Sequence, residues 1–139
     1  MTEQQSNVLA AMSKELETIQ SYLEVQTSDE LAELTERIAV INVYLARTGK
    51  ILADAKYIQD EIARETFDAL RTLVGDSLFS AKTTIVNKFI SAMSPEPNRI
   101  VTWSERLNRE CVHHLDSLRT LISLSKETMR LENSPYGQR

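Results

Sequence analysis

A chain of 139 residues with a formal charge of −4 has room for one hydrophobic core. Three glycines and three prolines, against ordinary shares of about 7% and 5%, leave few places for sharp turns, so long helices follow. The single cysteine, Cys111, cannot close an internal disulfide; the N-terminus, with Glu3, does not read as a signal peptide, and no stretch approaches the roughly 20 apolar residues of a membrane helix. The expected setting is a reducing cytoplasm, with no membrane partner.

The first periodic stretch predicts a helix over 6–24, where Val8, Leu9, Met12, Leu16, Ile19 and Leu23 recur at intervals of three and four. Thr27, Ser28, Asp29 and Glu30 read as a capping box, which starts a second helix at 28. From Leu31 to Val74 the apolar spacing has no obvious stop. Gly49 is its one candidate breaker and costs only ~1 kcal/mol relative to alanine, so a continuous or slightly bent helix is expected, about 70 Å long if unbroken. A compact chain of this mass is only some 30 Å across, and a helix that long must protrude unless a second copy covers it.

Gly75 and Asp76 read as a stop and a new N-cap for a third helix over 76–93, with Leu78, Phe79, Ile85, Val86, Phe89, Ile90 and Met93 on a broad apolar face. The segment 94–98 contains two of the three prolines and reads as a loop. The last helix, over 98–132, starts at Asn98 or at a second capping box, Thr102 to Glu105, and ends before Asn133, Ser134, Pro135, Tyr136 and Gly137. The expected fold is therefore all-α: a single-domain bundle of about four long helices, completed by oligomerisation.

Charge is uneven along the chain. Residues 1–46 carry eight acids against Lys14 and Arg37, whereas residues 99–139 carry seven bases against five acids, an asymmetry suited to head-to-tail steering or to an anion-facing last helix.

Several spacings touch on chemistry. Arg109 and His114 resemble the arginine–histidine motif of HEPN ribonucleases, in which the pair stabilises charge and moves a proton at an RNA phosphodiester. Glu110, directly after the arginine, would repel the scissile phosphate. Glu110 and His113 give half of a di-iron motif without its second half, and Cys111 with His114 offers two zinc ligands where a structural site needs four; no metal or other cofactor is expected. Gly49 and Lys50 lack the remainder of a phosphate-binding loop. What remains on the second helix is a cluster of cations and rings, Tyr44, Arg47, Lys50, Lys56 and Tyr57, able to stack on bases and meet a phosphate. An ordinary i,i+4 pair between Lys50 and Asp54 competes with that reading.

Two stretches, residues 44–56 (Tyr44 to Lys56) and 114–123 (His114 to Ser123) with Trp103 upstream, resemble small, poorly characterised helical proteins of tailed bacteriophages. The resemblance implies a phage source and a protein that binds: to a host defence protein, to its nucleotide signal, or to nucleic acid during replication or recombination. It directs attention to Arg47, Gly49, Lys50, Asp54, Lys56, His114, Asp116 and Arg119. The leading expectation is a non-enzymatic, oligomeric counter-defence protein whose ligand contacts include Tyr44, Arg47, Lys50, Lys56, Tyr57, Arg109, His114 and Arg119. The alternatives are an accessory nucleic-acid-binding protein and an HEPN-like ribonuclease.

Overall fold

The computed structural model describes residues 1–136 and, among these, every side chain except those of Leu78 and Phe79. Helix accounts for 86% of the described residues and no strand occurs among them. The elements are α1 (Glu3–Leu23), α2 (Leu31–Val74), α3 (Ser77–Ser80), α4 (Thr83–Ala92) and α5 (Pro95–Glu132).

Three long helices make the body. Gln5 reaches Glu61, Glu15 reaches Arg47, and Arg37 reaches the carbonyls of Tyr22 and Leu23, so α1 runs antiparallel to α2. Gln59 meets Asn98 and Asn108 meets Leu45, so α5 is also antiparallel to α2. Ser13 with Arg99 and Gln20 with Trp103 set α1 and α5 parallel. One core fills the space between them: Leu9, Leu16 and Ile19 from α1, Leu34, Ile41 and Ala55 from α2, and Ile100, Leu107 and Cys111 from α5 are all essentially inaccessible. Each buried Leu or Ile contributes about 1.5–3 kcal/mol relative to exposure.

The apolar spacing is realised as helices, but the boundaries move for identifiable reasons. Helix α1 begins earlier than expected because Thr2 and Gln5 form a reciprocal capping box, each bonding the other's amide. The box expected at Thr27 does not form: the Glu30 amide donates to Ser28 Oγ at 3.2 Å, Glu30 is extended, and α2 starts at Leu31. As expected, α2 is continuous through Gly49 and stops at Gly75, whose φ of +55° lies where a side chain is strained. The expected third helix is divided into α3 and α4 at Ala81 and an extended Lys82, next to Thr83, Thr84, Ile85 and Val86, four β-branched residues in succession with low helix propensity. The expected packing of Leu78 and Phe79 falls on side chains that are not described, and Gly137 lies outside the described residues.

The expected loop over 94–98 is instead the first turn of α5. Pro95 occupies N1 and Pro97 the same turn, where the amide a proline lacks would have had no partner. Thr102 and Glu105 consequently sit inside the helix, and the second expected capping box does not exist. Ser104 there bonds back to the Ile100 carbonyl at 2.7 Å.

Beyond Glu61, which Gln5 of α1 reaches, and the core residue Ile62, α2 continues for about three turns past the body beside α3 and α4. At the opposite end the last turns of α5 overhang the α1–α2 connection.

Candidate functional site

The cations expected to gather on α2 are spread around it. Arg47 faces α1, where its Nε and Nη2 make a two-pronged contact with Glu15 at 2.6 and 2.8 Å. That hydrogen bond holds the Glu15 carboxyl below its ordinary range against the opposing effect of burial. Lys50 bonds Asp54 one turn along at 2.6 Å, and Lys56 reaches across to Glu105 of α5 at 3.3 Å. Tyr44 turns inward and meets the Tyr22 ring edge-on at 5.3 Å, while Tyr57 points outward. A phosphate approaching Arg47 would have to displace a carboxylate already matched to its fork. The five residues do not converge on one site.

The α5 residues also separate. Arg109 and His114 are five positions apart and so leave the helix axis about 140° apart. Arg109 is exposed, whereas His114 is half-buried. Burial first, and Arg37 second, hold His114 below its ordinary value of 6.5, with His113 acting in the same direction and Glu110 against it. Arg119 pairs with Asp116 at 3.2 Å. Burial, with Glu110 adding to it, pushes the Cys111 thiol up to about 11, so it is a protonated core residue at neutral pH. Among the described residues no three His, Cys, Asp or Glu side chains are placed to hold a metal ion.

Three features escaped the sequence reading. The first is Arg37, only 7% exposed and with no acid at ion-pairing distance among the described residues. Its Nη2 donates to the carbonyls of Tyr22 at 3.2 Å and Leu23 at 3.4 Å, and the guanidinium lies 4.7 Å from the Tyr22 ring centroid. A cation at the carbonyl end of α1 and over an aromatic face is stabilised by both. Its sequence signal was position: an arginine three residues after Leu34 and four before Ile41, on the apolar stripe itself.

The second is an open groove of about 490 Å³ along α5, lined by Pro95, Asn98, Arg99, Thr102, Trp103 and Arg106. The Arg99 guanidinium lies 5.3 Å from the Trp103 ring, and the indole N–H and Arg106 both donate to Gln20 of α1. Glu96 binds Arg99 at 2.7 Å and Glu110 lies 3.5 Å from Arg106, so the groove is aromatic and nearly neutral.

The third is the tip formed by the end of α2 with α4. None of the α4 residues is buried, and Ile85, Phe89 and Met93, one turn apart from each other, are 62%, 43% and 53% exposed. A groove of about 390 Å³ runs between this stripe and α2, with Ile62, Glu65, Leu70 and Leu73 on its far side. Spacing had signalled the face; its lack of a cover is a tertiary property. At the other end Leu121, Leu124 and Met129 of α5 line a groove of about 460 Å³ with Leu34.

Comparison with known protein families, with characterised proteins and with solved structures finds no match to this chain. No helix among the described residues is long and apolar enough to cross a membrane.

Proposed function

We propose that the chain is a non-enzymatic, oligomeric helical binding protein of phage type, acting by stoichiometric occupation of a host defence protein or of that protein's nucleotide signal. The observation that carries this reading is the apolar surface at the two ends of an otherwise well-packed body, with Ile85, Phe89 and Met93 at one end and Leu121, Leu124 and Met129 at the other. Grouped apolar residues of this kind on a soluble domain mark contact surfaces. The phage setting comes from the sequence resemblance alone.

A second reading, accessory binding of single-stranded nucleic acid, is favoured by one observation: Trp103 flanked by Arg99 and Arg106 along one open groove, an aromatic platform with cations on either side. The carboxylates already engaging both arginines count against it.

Incubation with RNA, single-stranded DNA and a panel of cyclic nucleotides separates the readings. Saturable cyclic-nucleotide binding supports the signal arm of the proposal. Salt-sensitive DNA retention that is lost in Trp103→Ala supports the second reading, and RNA cleavage abolished by His114→Ala with folding intact would replace both with the ribonuclease alternative.

A further inference from the structure

The oligomeric part of that reading leaves open what covers the tip. We propose that it is covered by the tip of a second copy, in a two-fold pair in which α4 of each protomer packs against the end of α2 of the other. The inference rests on the reading above and names the first partner in it.

Charge selects this occupant. The last turns of α2 carry four acids, Asp60, Glu61, Glu65 and Asp68, against Arg64 and Arg71, whereas residues 77–94 carry Lys82 and Lys88 and no acid. Neither lysine forms an ion pair among the described residues. Within one protomer, therefore, the acidic helix and the basic helix lie side by side without their charges meeting. Helix α4 also begins at Lys82 with no side-chain cap and no acid in its first turn, which leaves the positive end of its dipole beside a cation. Carboxylates supplied from outside would relieve both.

Geometry selects the symmetry. Phe89 and Met93 of the exposed stripe line the groove whose opposite wall on α2 carries Ile62, Leu70 and Leu73 together with Glu65, so an apolar surface and a carboxylate lie together on one face. A two-fold axis through that face applies each contact twice: the lysines of one copy meet the acids of the other, and the reverse contact forms at the same time. Two helical hairpins then become a four-helix arrangement, with Phe89 and Met93 at its centre. A head-to-tail contact would instead apply each contact once per pair and leave a tip uncovered at the open end of the assembly unless it closed into a ring.

The test is light scattering on a size-exclusion column over a wide concentration range, expected to give a mass of twice 15.8 kDa for the unaltered chain. One variant carries Lys82→Glu and Lys88→Glu, another Glu65→Lys and Asp68→Lys. Each alone is expected to be monomeric at concentrations where the unaltered chain is paired, because like charges then face each other twice. Mixed in equal amounts, the two are expected to form a dimer, since both contacts become complementary between unlike chains. Phe89→Asp is expected to be monomeric with unchanged helix content by circular dichroism, because α4 contributes no buried residue to the body.

A monomeric unaltered chain overturns the proposal, as does a dimer that persists in the charge variants, or charge variants that fail to pair on mixing. A monomer that still binds a cyclic nucleotide saturably would remove the two-fold pair and leave the binding reading standing.

Discussion

The body and the tip are built from the same kinds of residue and differ in what covers them. In the body, Leu16, Ile41 and Leu107 are enclosed by neighbours from three helices; in the tip, Ile85, Phe89 and Met93 occupy equivalent positions on an amphipathic helix and face solvent. The pattern of apolar spacing is alike in both. Amphipathic patterning thus specifies that a face is to be covered, and the rest of the fold decides whether this chain covers it.

The largest effect that separates the two regions is a truncation in each. Leu107→Ala is expected to cost about 2–5 kcal/mol in urea unfolding, because a fully enclosed side chain leaves a cavity between α2 and α5. Ile85→Ala, measured at concentrations where the chain is monomeric, is expected to change stability by no more than about 0.5 kcal/mol. Equal losses would mean that the tip is as integral to the folded monomer as the body.

How legible the molecule was follows the same division. Local signals were readable: the spacing of Leu9 through Leu23, the uninterrupted run of α2 across Gly49, and the stop at Gly75. Pro95 and Pro97 misled because a proline marks a loop and a first helical turn equally well, and only the chain before it distinguishes them. The candidate site was less legible. Arg47 and Glu15 are 32 residues apart and Lys56 and Glu105 are 49 apart, so the acids that occupy those cations could not be seen from spacing along one helix. Arg37 was hidden for the opposite reason: its partners are backbone carbonyls, which carry no sequence signature.

The next effect concerns polar groups within the body. Asn108 Nδ2 donates to the Leu45 carbonyl at 3.1 Å and to Thr48 Oγ1 at 3.0 Å, and Thr48 Oγ1 in turn donates to the same carbonyl at 3.0 Å. Asn108→Ala removes the donor that joins α5 to α2 and is expected to cost about 1–3 kcal/mol by thermal unfolding. A smaller loss would indicate that water replaces the amide, and hence that the body is less tightly closed than its burial implies.

A pH series tests the charge at the other end of the core. His114 is held below 6.5 by burial and by Arg37, with His113 reinforcing and Glu110 opposing. The folded state therefore favours neutral imidazole, and that stability is fully present above 6.5 and is lost as the pH falls through the folded value. The urea midpoint of the unaltered chain is expected to fall below pH 6.5 more steeply than that of His114→Gln, which has no proton to gain. Parallel curves would assign acid sensitivity to carboxylates such as Glu15, whose lowered value shifts its loss to more acidic conditions.

The smallest effect compares one glycine from each region. Gly49 lies inside α2, and a Cβ there would sit 3.7 Å from Asn108 Nδ2, an ordinary contact. Gly49→Ala should therefore stabilise the body by about 0.5–1 kcal/mol, since alanine loses less backbone freedom on folding and needs no neighbour to move. Gly75 has open space around it, yet its φ of +55° makes any side chain strained, so Gly75→Ala should act in the opposite direction at the junction of α2 with the tip. Because the tip adds no buried residue from α4, that strain should appear as a change in pairing between copies more than as a loss in monomer unfolding. Measuring both variants by thermal unfolding and by light scattering distinguishes a backbone demand from a packing demand. If Gly49→Ala destabilises, then the added Cβ disturbs the Asn108 contact with α2, and Asn108→Ala combined with Gly49→Ala should remove that loss.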